Sequence, residues 1–353
     1  MTHPHAAPEA TPGDAAFLRA FAGTLALALV LLALLTTLVD PLGRFGTGLL
    51  PPVVTADRDR KAALYRALPA PPRLVLLGSS RSKTLDPACF TAAGEGPAFN
   101  FAVNGASAQD LVAIGRFLRA ASPGTRQRLV VGLEPELLQG SVGLHRPLAL
   151  SRALRPYLPE LPGEADASLA ADLFGWQAVE AAARSLVARL SAPDRLPSER
   201  LEPDGLQHYP RVEAARRDGS WDARAAVEGS IPGVLARYAS FDRLDGGSVA
   251  WLRQFLREAR AAGDSVIAFL PPVHPLLARQ AEGTSWPALT RETLLLLRTL
   301  EREGLLRLVA TDDLDLDGPA ARDAWVDGLH FLAPVAAQLA QRLTGDPTAC
   351  AVQ

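Results

Sequence analysis

An apolar run ends in two serines in "RLVLLGSS" (residues 73–80), and near the other end of the chain an aspartate and a histidine stand three apart in "DGLH" (327–330). A serine hydroxyl becomes a nucleophile when a histidine takes its proton, and the imidazole needs a carboxylate to fix its tautomer. Ser80, His330 and Asp327 are therefore candidates for an acyl-transfer triad. The reaction also needs donors for an oxyanion. The amides of Ser80 and of Gly105, in "NFAVNGAS" (100–107), are candidates, because glycine lets the backbone approach a substrate closely. Taken singly, each side chain has a plainer reading. Ser80 would cap a strand-to-helix turn, Asp327 would be a loop acid, and His330 would cap the helix that opens at Pro334. Found together, in this order, they favour the triad.

Such groups meet only if the elements that carry them end on one rim. Five short apolar runs, "RLVLLG" (73–78), "AFNFAV" (98–103), "RLVVGLE" (128–134), "SVIAFLP" (265–271) and "LLRLVA" (305–310), lack alternation and fit strands covered on both faces. Helical patterns lie between them. Ser107 and Asp110 form a capping-box signature ahead of Leu111, Ile114 and Phe117. Val249, Leu252, Phe255, Leu256 and Ala259 recur at helical spacing before Gly263. The alternation predicts an α/β fold over 73–345, a doubly wound (flavodoxin-like) parallel sheet of about five strands, interrupted by a mostly helical insertion over 140–245.

Ligands of such sheets bind beyond the carboxyl ends of the strands. The residues there are Ser79, Ser80 and Arg81, then Asn104 and Gly105, then Glu134, then His274, then Asp327 and His330. Arg81 would bind an anionic substrate group or pair with an acid. Asn104 and His274 are further candidates for substrate binding, although His274, flanked by prolines, also suits a rigid turn.

A net charge of −2 without clustered cations gives no reason to expect a nucleic-acid partner. No G-x-G-x-x-G or G-x-x-x-x-G-K loop occurs, and the cysteines have no metal-ligand spacing, so neither a cofactor nor a metal is expected. Cys89 and Cys350 would pair in an oxidising compartment, but Cys350 falls in an apparent tail (346–353), which favours two unpaired thiols. Residues 20–39, "AFAGTLALALVLLALLTTLV", carry no charge and are long enough to cross a hydrocarbon core of about 30 Å. No A-x-A cleavage pattern follows. The pattern predicts a short N-terminal tail (1–16), a single uncleaved anchor over 17–39 and a linker over 40–72. Arg44, Arg58 and Arg60 follow the anchor where only Arg19 closely precedes it, which by the positive-inside rule points weakly to a cytoplasmic C-terminal domain.

The blocks "GSSRS" (78–82), "NFAVNGAS" (100–107) and "DGLH" (327–330) resemble those of the SGNH (GDSL-type) hydrolases, over about residues 73–343. The resemblance implies Ser80 as nucleophile, Gly105 as an oxyanion donor, and Asp327 with His330 as the rest of the triad. Two positions depart from that pattern. Ser79 replaces the usual Asp, and in "GLEP" (132–135) Glu134 stands where the family has an asparagine whose amide donates to the oxyanion. Loss of one such donor costs about 3 kcal/mol. An ionised carboxylate there would oppose the reaction, whereas a protonated one would donate as the amide does. With its one N-terminal helix, the chain is similar to anchored proteins that modify envelope polymers: alginate and peptidoglycan O-acetylation factors, and the D-alanyl transfer protein of teichoic acids. That similarity implies an esterase or O-acyltransferase acting on a cell-envelope glycan or lipid-linked polymer. It further implies a soluble domain outside the cytoplasmic membrane, beside a multispanning acyltransferase. Glu134 keeps open the alternative of a catalytically inactive SGNH-like binding or scaffold module.

Overall fold

Each of the five apolar runs forms a strand in the computed structural model, which describes residues 12–40, 47, 57–140, 145–161, 173–191 and 198–350. Strands β1 (Leu74–Leu77), β2 (Ala98–Asn100), β3 (Arg128–Gly132), β6 (Ser265–Phe269) and β7 (Arg307–Val309) make one sheet in the order β2-β1-β3-β6-β7. Every neighbouring pair is parallel. The missing alternation has its cause here: successive residues enter two different cores, Val75, Leu77, Leu129 and Val131 on one face and Leu74, Leu76, Val130 and Ile267 on the other. A second, two-stranded antiparallel sheet joins β4 (Arg200–Leu201) to β5 (Gln207–His208).

The helices are α1 (Pro12–Val39), α2 (Asp57–Arg66), α3 (Pro87–Phe90), α4 (Ala108–Ala121), α5 (Arg146–Ala149), α6 (Trp176–Ser191), α7 (Pro210–Arg217), α8 (Ala223–Ala239), α9 (Gly246–Ala262), α10 (Pro275–Gln280), α11 (Trp286–Arg302) and α12 (Ala333–Thr344). Helices α4 and α9 fill the first face with Leu111, Ile114, Phe117, Leu252 and Phe255. Helices α8 and α12 fill the second with Val227, Ile231, Val335 and Leu339. The capping box forms as the sequence predicts. Ser107 Oγ accepts from the Asp110 amide at 3.3 Å, and Asp110 Oδ2 accepts from the Ser107 amide at 2.8 Å.

Contacts divide the chain into two units, one of residues 1–56 with 164–195, the other of 57–163 with 196–353. In the first, α1 is apolar from Ala15 to Val39 and mostly exposed, long and apolar enough to cross a membrane. The expected insertion is thus shared between the units. Its 164–195 part belongs with α1, and its remainder, with β4, β5, α7 and α8, belongs with the sheet.

Two expectations need correction. The stretch expected to be a linker contains α2, whose Ala62 and Tyr65 are buried in the core. Its sequence, "DRDRKAALYR", hides this because Asp57, Arg58 and Lys61 also point inward. Linker positions 41–46 and 48–56 lie outside the described residues. Nor are the cysteines unpaired. Cys89 and Cys350 form a disulfide with their Cα atoms 4.7 Å apart. Gly345 ends α12 with φ +74°, a left-handed turn, and Gln341 Nε2 holds the Ala349 carbonyl at 3.0 Å, so the supposed tail folds back beside its own helix.

Lys61 is fully buried and donates to Asn100 Oδ1 at 3.3 Å. Burial, and next the charge of Lys83, pull its pKa well below the ordinary 10.5. A lysine depressed in the folded state makes stability rise with pH between its lowered value and 10.5, because the unfolded chain binds the extra proton. Lys61→Met leaves Asn100 Oδ1 its bond from the Ala102 amide at 3.0 Å. The variant is expected to melt higher than the wild type, by a margin that narrows as the pH of the thermal scans approaches 10.5.

Candidate active site

Strand β1 delivers its end to the rim through Gly78, whose φ of +135° suits only glycine. A Cβ there would lie 2.7 Å from Ser82 Oγ and 3.0 Å from the Gly132 carbonyl. The chain then enters a single 3-10 turn, Ser80–Ser82, and Ser79 caps it, its Oγ accepting from the Arg81 amide at 3.3 Å. The two adjacent serines therefore divide the work. Ser79 takes the structural role that a serine at such a turn usually has, and the Ser80 hydroxyl is left for another partner.

That partner is His330. Its Nε2 lies 2.8 Å from Ser80 Oγ, and its Nδ1 lies 2.8 Å and 3.0 Å from the two carboxylate oxygens of Asp327. A narrow bend sets this geometry: Trp325 bridges Phe331, and the Val326 amide donates to the His330 carbonyl at 2.8 Å. Within the bend Asp327 Oδ1 accepts from the amides of Leu329 (2.7 Å) and His330 (2.8 Å). Burial raises the Asp327 pKa, but the hydrogen bond and charge of His330 and these two amides outweigh it and hold the carboxyl below its ordinary range. An ionised Asp327 keeps the proton on Nδ1, which leaves Nε2 to accept from the Ser80 hydroxyl.

Ser80 and His330 open into a cavity of about 330 Å³, also lined by Gly105, Glu134, Arg81 and Tyr238. Among the described residues, the amides of Ser80 and Gly105 meet no acceptor. Gly105, at φ +53°, is fixed through its neighbour Asn104. The Asn104 amide donates to Asp57 Oδ2 (2.5 Å), its carbonyl accepts from Arg58 Nη1 (3.1 Å), and its Oδ1 accepts from Lys83 Nζ (2.9 Å). Asn104 is thus a brace for the loop and is not among the residues lining the cavity. Arg58 in turn grips Asp110 at 2.7 Å and 3.0 Å. Burial works against the Asp110 carboxylate, yet Arg58 and His145 pull its pKa far below the ordinary range.

Arg81 and Glu134 both line the cavity and are almost fully buried. Arg81 Nη2 donates to the carbonyls of Pro271 and Pro272, and its Nη1 lies 3.8 Å from Glu136 Oε2. Glu134 Oε2 has no hydrogen-bond partner among the described residues. Burial raises the Glu134 pKa against the opposing charge of Arg81, and the nearby Glu136 adds to the rise.

His274 does not join the site. It caps α10, with Nδ1 accepting from the Leu276 amide at 3.1 Å, and its ring stands edge-on to Trp325 at 5.1 Å. It is the rigid-turn residue that its flanking prolines allow, and it is absent from the cavity lining. Two contributors escaped the sequence. Asn100 is fully buried, and its Nδ2 donates to the carbonyls of Ser82 (2.9 Å), Lys83 (3.3 Å) and Leu85 (2.8 Å), tying β2 to the turn that carries Ser80. His145 lines the cavity with Nδ1 3.1 Å from Asp110 Oδ2. A larger cavity of about 410 Å³ beside the disulfide contains neither Ser80 nor His330. No group of three or more metal-ligating side chains occurs among the described residues. The sequence matches no protein-family model, and it matches no curated protein.

Two substitutions test this construction. Asn100→Ala takes a donor from three buried carbonyls; those of Ser82 and Lys83 keep bonds from the Leu85 and Gln207 amides, while that of Leu85 loses its partner. A loss of about 2 kcal/mol is expected in denaturant unfolding. Glu134→Gln removes an acid whose pKa is raised by folding. Such an acid makes the folded protein less stable as pH climbs from its ordinary value through the raised one, since the folded state holds the extra proton. The melting temperature of Glu134→Gln is expected to exceed that of the wild type by a margin that grows as the pH rises from the ordinary carboxyl value of 4.5 through the raised one.

Proposed function

We propose that this chain is a serine esterase or O-acyltransferase of the SGNH (GDSL-type) kind. One observation carries the proposal: the Ser80 hydroxyl, the His330 imidazole and the Asp327 carboxylate form an unbroken hydrogen-bonded series opening into a cavity. The strand order β2-β1-β3-β6-β7, with helices on both faces, supports the doubly wound, flavodoxin-like arrangement that the proposal requires.

Ser80 Oγ attacks the carbonyl carbon of an ester while its proton passes to His330 Nε2. The oxygen of the tetrahedral intermediate takes hydrogen bonds from the amides of Ser80 and Gly105. Collapse breaks the bond to the alcohol oxygen, which leaves with the proton from His330 and leaves an acyl group on Ser80. Water or an acceptor hydroxyl then loses its proton to His330 and attacks the acyl carbon, restoring the serine. Asp327 stabilises the imidazolium in both halves. A protonated Glu134 supplies the third donor, in place of the family's asparagine.

The apolar helix α1 and the disulfide support the rest of the proposal. Disulfides persist in oxidising compartments, which favours a soluble domain outside the cytoplasmic membrane, against the arginine count. Residence there fits an envelope glycan or lipid-linked polymer as substrate and a multispanning acyltransferase as partner. The second possibility, an inactive binding or scaffold module, is favoured by one feature only, the glutamate at 134 beside Arg81.

Labelling of the purified protein by a fluorophosphonate separates the two. Wild type is expected to label at one site, Ser80→Ala not at all, and His330→Ala on the order of a hundredfold more slowly or worse. A folded wild type that resists the probe would support the inactive module.

A further inference from the structure

Helix α6 has an inverted surface. Ala178, Ala181, Ala182 and Ser185, at helical spacing, form a buried stripe of small residues. On the opposite side Trp176, Glu180, Ala183, Val187 and Leu190 form a second stripe, apolar but for Glu180, with Leu186 beside it. The large members are exposed: Trp176 by 77%, Val187 by 62% and Leu190 by 74%. A helix on a water-facing surface turns its large apolar residues inward and its polar ones outward. The exposed ions Glu180 and Arg184, one turn apart, are paired with each other at 3.1 Å.

The neighbour of α6 says what covers that stripe. Helix α6 packs on α1 within their common unit. Thr36, in the last turn of α1, donates from Oγ1 to the carbonyl of Leu173 at 3.0 Å, three residues before α6 begins. The packing thus sits at the end of α1 where a spanning helix would leave the hydrocarbon. The earlier part of α1 shows the same open apolar surface, with Phe17, Phe21, Leu27 and Leu31 exposed. Helices meeting in lipid use small residues at their contact and turn large apolar ones outward, as α6 does.

We propose that α6 lies in the membrane interface beside α1, with Trp176, Leu186, Val187 and Leu190 seated at the boundary of headgroups and acyl chains. At 16 residues, or about 24 Å, α6 is too short to cross a core of about 30 Å, so it lies along the surface. Trp176 is the residue type that concentrates at that depth. The chain is then held at the bilayer twice, by a spanning helix and by a surface helix far along the sequence. This rests on α1 crossing the membrane.

The test uses full-length protein in phosphatidylcholine vesicles whose acyl chains carry bromine close to the headgroup. The Trp176 contribution is the fluorescence difference between wild type and Trp176→Phe. It is expected to fall on the order of twofold in brominated vesicles and to resist acrylamide. A second protein, Leu27→Trp in the Trp176→Phe background, reports α1 against lipids brominated near the bilayer centre. Quenching at both positions supports the proposal. Quenching at position 27 with an unquenched Trp176 leaves the spanning helix intact and overturns the surface helix. An unquenched Trp176 shielded from acrylamide only at high protein density would assign the stripe to a second copy of the chain and also overturn it. Absence of quenching at both positions removes the spanning helix and the proposal together.

Discussion

A single buried amide decides whether the rim of the sheet is a site at all. Asn100 ends β2 opposite Leu76 of β1, and its Nδ2 group serves carbonyls of the turn that carries Ser80. Its Oδ1 meanwhile accepts from the Ala102 amide, at the start of the loop that leads to Gly105. One side chain therefore ties together the two strand ends from which the proposed nucleophile and the proposed oxyanion donor emerge. Acyl transfer tolerates little error in such placements, and a turn held by its own residues alone would not define them. Asn100 does so without adding charge, and an amide bonded this fully loses little by burial.

Around this clamp the protein uses ions where other parts of the molecule use apolar packing. Helix α2 sends Asp57, Arg58 and Lys61 inward; Asp57 receives the Asn104 amide, and Arg58 joins Asp110 to the Asn104 carbonyl. Lys83, leaving the serine turn, reaches Asn104 from the other side. Buried ion pairs contribute little net stability, because desolvation offsets their attraction. Their value here is directional. They occupy polar groups of Asn104 on several sides, while the amide of the next residue, Gly105, which lines the cavity, meets no acceptor among the described residues. Asp110 also closes the capping box of α4, so the start of that helix and the glycine loop share one carboxylate.

This division explains what could be read from the sequence. The five strands were legible because a strand buried on both faces must be apolar at every buried position, as β1 is throughout and β3 is after Arg128. Ser80, Asp327 and His330 were legible because few combinations of side chains can activate a hydroxyl. Helix α2 was not. Its inward residues are charged, and their partners lie far along the chain, at Asn104 and Asp110, where no local pattern reveals them. The disulfide was hidden for a related reason. Cys350 reaches Cys89 only because Gly345 reverses the chain after α12. Asn100 could be located only as a spacing marker for Gly105, since its three carbonyl partners are backbone atoms that leave no trace in residue types. At "GSS" the sequence offered a cap and a nucleophile as competing roles for one serine. In the structure Ser79 is the cap, and Ser80 Oγ lies 2.8 Å from His330 Nε2.

Charge counting around Arg81 brings the remaining oddity, Glu134, into the same scheme. One guanidinium faces two carboxyls, Glu134 and Glu136. The carbonyls of Pro271 and Pro272 hold one of its nitrogens, which prevents a two-pronged grip on either acid. Glu136 is 30% exposed, and its Oε1 accepts from the Tyr238 hydroxyl at 2.6 Å. Glu134 is 2% exposed, and each of the two acids has one oxygen without a hydrogen-bond partner among the described residues. Burial favours the neutral form of Glu134 against the charge of Arg81. In the proposed reaction, a Glu134 biased in this way would donate a hydrogen bond where the SGNH pattern has an asparagine.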